Sequence, residues 1–188
     1  IADYITINIS SPNTEGLRGY HDQKKLKDLL STLNQIKKDK NTSVPLLLKV
    51  SPDIKDNNIA EIVEAAIEND ISAIILTNTT NTNRNNLIST DKQEVGGLSG
   101  EPLQEISTAM IKKFYKILAG RIPIIGVGGI NSGKSAYEKI AAGASLLQLY
   151  TGFVYKGPSV AKNIKKELIQ ILKAEGMKNI EEAVGKGV

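Results

Sequence analysis

Apolar residues recur along this chain in two alternating rhythms. Five short aliphatic and β-branched runs, at Tyr4–Ile9, Val44–Val50, Ala73–Thr77, Ile122–Val127 and Ser145–Tyr150, read as strands. Between them apolar residues return every three or four positions, the spacing of one helix face. Leu26, Leu29, Leu30, Leu33 and Ile36 form one such stripe, and Ile59, Ile62, Val63, Ala66 and Ile67 a second. Leu103, Ile106, Met110, Phe114 and Ile117 form a third, and Val160, Ile164, Leu168 and Leu172 a fourth. Strand and helix alternating over the whole length predict a parallel sheet with helical crossovers. Strands that are apolar at nearly every position are buried on both faces, which excludes an open antiparallel sheet.

A doubly wound sheet and a barrel both fit that alternation, and the polar residues separate them. Each run ends in a chemically distinctive residue: Asn8, Lys49, Thr77–Asn78, Gly128–Gly129 and Tyr150–Thr151. In a (β/α)8 TIM barrel the C-terminal strand ends converge on one mouth, so these residues would face a common ligand. The expected fold is therefore such a barrel, with this chain supplying about its last five βα units. At 188 residues the chain is short for a barrel, and it opens directly in the strand-like run ADYITINIS. Residues 1–188 are thus expected to be the C-terminal part of a single barrel domain whose N-terminal part is absent. A barrel without three of its strands exposes two sheet edges. Such a piece is expected neither to fold stably nor to turn over by itself.

Residues 128–135, GGINSGKS, match the phosphate-binding pattern G-x-x-x-x-G-K-[ST] between the strand-like PIIGV and the helical KSAYEKIAAG. A nucleoside triphosphatase also needs an acid at the end of a neighbouring strand to organise Mg²⁺. None of the five strand ends supplies one. Asp53, in VSPD, lies beyond its strand and reads as a turn or helix-start residue. A second phosphate reading uses the glycines differently. Gly128–Gly129 and the Thr–Gly turn of LYTG lie in consecutive units. Barrel enzymes hold phosphates between the loops after their last two strands and a short extra helix. GKS would then start the following helix, with Lys134 exposed. The residues alone leave open a P-loop nucleotide-binding protein and a non-catalytic flavin- or phosphate-binding module beside an enzyme.

Composition narrows the picture. The chain carries a net charge of +4, but its lysines are interleaved with acids and apolar residues on predicted helices such as DQKKLKDLLSTLNQIKKDK. These are solvated helix faces, and no nucleic-acid partner is expected. Without cysteine there is no disulfide, thiolate nucleophile or cysteine-type zinc site, and no metal site is expected. The asparagine-rich stretch NTTNTNRNN at 78–86 lacks periodicity and apolar anchors, and reads as a surface loop at the ligand-bearing end.

Six motifs in order, NISSPNT (8–14), LLLKVSPD (46–53), TNTT (77–80), GGLSG (96–100), PIIGVGGI (123–130) and LLQLYTG (146–152), resemble the dihydroorotate dehydrogenases. Their order and spacing fit the membrane-associated, quinone-linked class 2 enzymes, and the resemblance covers essentially the whole chain. It implies FMN bound at the barrel mouth, oxidation of dihydroorotate to orotate in pyrimidine biosynthesis, and reoxidation of the flavin by a quinone. It also implies a peripheral protein of the bacterial inner membrane or mitochondrial inner membrane, meeting the membrane surface through its N-terminal part.

Matched motif by motif, Ser11 takes the place of the catalytic base. Class 1 relatives have cysteine there, so a cysteine-free chain with Ser11 fits class 2. Asn8, Asn13, Asn78 and Thr79 match substrate-holding residues. Asn8 also matches a flavin contact, with Lys49, Thr77, Ser99, Gly100, Gly128, Gly129, Leu149, Tyr150 and Thr151. The chemistry agrees. Removing a proton from one carbon and a hydride from its neighbour needs a base on one side and a flavin ring. A serine hydroxyl is a poor unaided base, so Ser11 requires a proton acceptor that the sequence does not identify. A lysine in an apolar strand needs a partner or a ligand. The Thr14–Tyr20 segment, with Gly16 and Gly19 as hinges, reads as a lid over Ser11. His21 reads as a surface or helix-start residue without a role.

Overall fold

A computed structural model describes residues 2–82 and 84–188; Asn83, within the asparagine-rich loop, lies outside the described residues. Strands β1 (Ile5–Asn8), β2 (Leu46–Val50), β3 (Ala73–Leu76), β4 (Ile124–Val127) and β5 (Ala144–Gln148) form one parallel sheet. Helices α1 (Gln23–Asp39), α2 (Asn57–Glu68), α3 (Gln104–Leu118) and α4 (Gly133–Ala141) make the crossovers. A short α5 (Thr151–Lys156) and then α6 (Val160–Ala174) follow β5.

The spatial strand order is β1-β2-β3-β4-β5, the same as the chain order. A doubly wound sheet reverses direction at a switch point; a strictly sequential order is the winding of a barrel wall. The five predicted strands all form, each within the predicted run, except that β5 starts one residue earlier, at Ala144.

Alternate residues of each strand face opposite ways. Leu46, Leu48, Val50, Ile74, Leu76 and Ile124 pack outward on the helices in the main core with Leu26, Ile62 and Phe114. Leu47, Ala73, Ile75 and Ile125 form a second, smaller cluster on the opposite face with Val127. Lys49 is two residues on from Leu47 and shares that inner face. The central strand β3 is buried throughout, whereas edge residues Ile5 and Leu146 are exposed.

Two helical stripes require correction. On α3 the buried face runs through Leu103, Ser107, Met110, Ile111, Phe114 and Leu118; Ile106 is only partly covered and Ile117 is exposed. Ser107 occupies the interface because α3 crosses Gly128 there: a Cβ on Gly128 would stand 3.0 Å from that of Ser107. The Ser107 hydroxyl donates to the Val127 carbonyl. On α1, Ile36 is exposed.

Candidate active site

Parallel pairing in register brings the C-terminal strand ends to one edge, with Asn8 opposite Lys49 and Val50 opposite Leu76. A cavity of about 330 Å³ opens there. Lys49, Thr77, Asn78 and Thr79 line one side; Ser99 and Gly100 close another. Gly128, Gly129, Leu149, Tyr150 and Thr151 complete it. Nine of the ten residues matched to flavin binding thus meet in one cavity, Asn8 being the exception. Ser99 Oγ lies 2.8 Å from Thr151 Oγ1, tying the GGLSG loop to the start of α5. The cavity continues into one of about 610 Å³ between the Arg84–Pro102 region and α5.

The glycine turn after β4 is dictated by its neighbours. Gly129 has φ +73°, and a Cβ there would come within 2.7 Å of Gln104 Cα and 2.9 Å of Gln104 N. Only glycine lets the chain turn between α3 and the cavity, leaving its backbone turned toward the cavity. Gln104 is itself held from behind: Lys139, fully buried, donates to the Gln104 carbonyl and to Thr108 Oγ1, both at 2.6 Å. Burial pushes the Lys139 ammonium down to about 7, against a smaller raising effect of Glu138.

The second half of GGINSGKS does something else. Ser132 caps α4 in a reciprocal capping box with Ser135. The Gly133 N–H donates to the Glu167 carboxylate of α6. The helix N-terminus that would hold a nucleotide phosphate is therefore filled by the protein's own acid, and Lys134 is exposed. The start of α4 therefore lacks the open phosphate site of a P-loop, and the P-loop reading falls.

Asn8, Ser11 and Asn13 do not line the cavity; they stand on β1 and the loop that leaves it, beside it. Asn8 Oδ1 accepts from Ser10 Oγ at 2.8 Å and from Asn78 Nδ2 at 3.3 Å, and Asn78 Nδ2 also donates to Ser10 Oγ at 3.0 Å. Asn78 Oδ1 accepts from the Thr79 N–H at 2.8 Å. The amides of Asn8 and Asn78 are thus oriented by each other through buried Ser10. Ser11 Oγ accepts from the Asn13 N–H at 3.2 Å, and the Thr14 hydroxyl lies 3.4 Å away. Lys49 is half-buried with no carboxylate paired to it among the described residues, and burial lowers its pKa.

Five participants escaped the sequence reading: Ser10, Thr14, Arg18, Asp53 and His21. Ser10 and Thr14 flank Ser11 in NISSPNT, and their being hydroxyl residues in that motif was the available signal. Asp53 is not merely a turn residue: its carboxylate pairs with Arg18 at 3.0 Å and accepts from the Asn81 N–H at 3.2 Å and from the Thr80 hydroxyl. His21 is buried rather than on the surface. Its Nδ1 lies 2.9 Å from the Arg18 carbonyl and Nε2 accepts from the Ser51 N–H, which requires the neutral ring. Burial, chiefly, lowers its pKa. The 78–86 stretch is anchored rather than a free surface loop at its start, where buried Thr80 bridges to Leu98.

Fold and site together define an α/β-barrel segment whose mouth combines a glycine-turned, hydroxyl-lined cradle with a lysine and a cluster of amides. Residues 1–172 match the dihydroorotate dehydrogenase family. The chain belongs to that family. It is 44% identical over 98% of its length to a dihydroorotate dehydrogenase (quinone) of Xanthobacter autotrophicus, of which it covers 53%. It is 43% identical, over the same share, to the mitochondrial quinone enzyme of Arabidopsis thaliana, covering 41% of it. The ligand-free crystal structure of the Eimeria tenella enzyme superposes with a TM-score of 0.93 at 37% identity, over 98% of this chain and 55% of that one. The chain spans about half the length of the curated relatives it matches. Its sheet is five of the eight strands of a TIM barrel. Among the described residues no helix is long and apolar enough to cross a membrane.

Proposed function

We propose that this chain is the cofactor- and substrate-holding part of a quinone-linked dihydroorotate dehydrogenase, oxidising dihydroorotate to orotate in pyrimidine biosynthesis. The observation that carries the reading is the single cavity in which Lys49, Thr77, Ser99, Gly100, Gly128, Gly129 and Thr151 meet at the strand ends.

The cavity suits FMN. Backbone at Gly128–Gly129, with the hydroxyls of Ser99 and Thr151, offers short donors for a phosphate. Thr77, Leu149 and Tyr150 provide a mixed polar and apolar wall, and Asn8 stands at the strand end next to Lys49. When bound, FMN supplies the hydride acceptor. Lys49, on the inner face and without a paired carboxylate among the described residues, supplies a positive charge where negative charge collects on reduction.

Asn8 and Asn78, held by Ser10, present fixed amide groups toward a small cyclic imide, with Asn13 and Thr79 completing the substrate contacts. Ser11 removes the ring proton. Donors aimed at its oxygen from the Asn13 N–H and the Thr14 hydroxyl favour the negatively polarised oxygen that a base requires. With its hydroxyl turned to accept instead of donate, Thr14, 3.4 Å away, offers a route by which the Ser11 proton could pass on. Electrons leave to a quinone, which places the working protein at a bacterial inner or mitochondrial inner membrane surface. That contact, and the other three strands, belong to parts outside this chain.

The test is spectroscopic. Full-length protein should purify yellow with FMN, and dihydroorotate should bleach it anaerobically until a quinone is added. A colourless protein, or a yellow one that dihydroorotate leaves unbleached, overturns the reading.

A further inference from the structure

The lid segment is fastened to the substrate loop through one carboxylate. Asp53 follows β2 and is close to buried, its side chain 12% exposed. One of its oxygens, Oδ1, accepts from the Thr80 hydroxyl and from Thr82 Oγ1 at 3.3 Å; the other accepts from the Asn81 N–H at 3.2 Å. These residues directly continue Asn78 and Thr79. The same Oδ2 pairs with Arg18 Nη2 at 3.0 Å, and that nitrogen also reaches the Thr79 carbonyl at 3.4 Å.

Arg18 sits in the 3₁₀ turn Leu17–His21, which follows Gly16 at φ +74°. The far end of the turn is pinned by His21 to the Ser51 N–H and by the Asn58 amide to the His21 carbonyl. Fixed at His21 and preceded by the positive-φ turn at Gly16, the segment reaches the loop after β3 through the Arg18 side chain. The attachment is also incomplete. Arg18 meets Asp53 through a single nitrogen, and its Nε is buried without a partner among the described residues. A two-nitrogen fork with every donor satisfied would hold tighter and release more slowly.

We propose that Arg18 and Asp53 form a releasable latch, both being positioning residues, which couples closure of residues 14–21 over Ser11 to the ordering of Asn78 and Thr79. The inference rests on the dehydrogenase reading for its substrate. The latch itself does not depend on it. With the latch closed, the Ser11 loop and the substrate amides are set by one event; opening it frees both together and lets product leave.

In full-length protein, Arg18→Gln, Asp53→Asn and the double variant test this. Each single variant should raise KM for dihydroorotate and weaken orotate binding by about tenfold, while flavin content and its spectrum stay unchanged. The double variant should be little worse than either single one, because each removes the same contact. Hydrogen exchange read on residues 14–21 and 78–82 without substrate should accelerate by about tenfold in both segments of every variant. Additive losses, or exchange accelerated in only one segment, overturn the latch. If the unaltered protein binds flavin but does not oxidise dihydroorotate, the dehydrogenase reading falls. The exchange measurement then still decides the latch.

Discussion

Asn78 Nδ2 donates to Ser10 Oγ at 3.0 Å, joining the loop after β3 to the loop after β1 across 68 residues of sequence. Ser10 is fully buried and donates onward to Asn8 Oδ1. One hydroxyl therefore orients two of the amides assigned to the substrate. Ser10→Ala deletes it and leaves the fold intact, since Asn78 keeps its 3.3 Å contact with Asn8. The expected result is a rise of about tenfold in KM for dihydroorotate, the scale of one buried hydrogen bond, with flavin binding unchanged. Steady-state kinetics on the full-length protein checks it. A KM within about twofold of the parent would show that Ser10 is not needed to aim the amides.

Ser11→Ala removes the proposed base without touching the cavity lining. Flavin reduction by dihydroorotate should slow by at least about 10²-fold at neutral pH, with FMN still bound. Thr14→Val should slow it less, because the Asn13 N–H remains on Ser11. Anaerobic stopped-flow absorbance separates the two, and equal rates for Ser11→Ala and the parent would remove Ser11 from the base role.

These residues also mark where the sequence was readable. The strands and their polar ends were legible because burial on both faces demands apolar runs, and a polar residue at or near the C-terminal end of such a run is a signal in itself. Asn8, Lys49 and Thr77 were found that way. Ser107 was not, because its place in the α3 interface is set by the backbone of Gly128, to which a hydropathy pattern is blind. Arg18, Asp53 and His21 were missed for a related reason: each is defined by partners 27 to 61 positions away. Read locally, an Asp after Pro is a turn, and a lone His before a helix is a surface residue.

Lys139 adds a pH dependence with a definite sign. Its folded pKa, about 7, lies below the ordinary 10.5, so between those values the unfolded chain holds more protons than the folded one. Stability should rise as pH increases from about 7 toward about 10.5, and the burial penalty is fully present below about 7. Lys139→Met abolishes that slope. The Gln104 carbonyl stays satisfied, because the Thr108 hydroxyl also donates to it at 2.8 Å. Relative to the parent, the variant should gain about 1 kcal/mol at pH 6.5 and lose the advantage by about pH 9.5. Thermal unfolding of full-length protein at the two pH values reads this. A difference that does not change with pH would mean that Lys139 does not titrate in that window.

GGINSGKS yields the sharpest contrast between neighbouring residues. Gly129→Ala places a Cβ 2.7 Å from Gln104 Cα on a backbone with φ +73°, so the turn must move out of the cradle. The positive φ alone costs roughly 1 kcal/mol for alanine, and the overlap with a helix backbone, which cannot yield as a side chain would, adds to it. FMN affinity should fall by well over about tenfold. Lys134→Ala, five residues on, removes an exposed ammonium at a helix start whose first N–H is already taken by Glu167. Its FMN affinity should stay within about twofold of the parent. Fluorescence titration of apoprotein with FMN measures both. Loss on Lys134→Ala with retention on Gly129→Ala would move the phosphate site to the start of α4; the opposite result fixes it at the end of β4, where the chain turns toward the cavity.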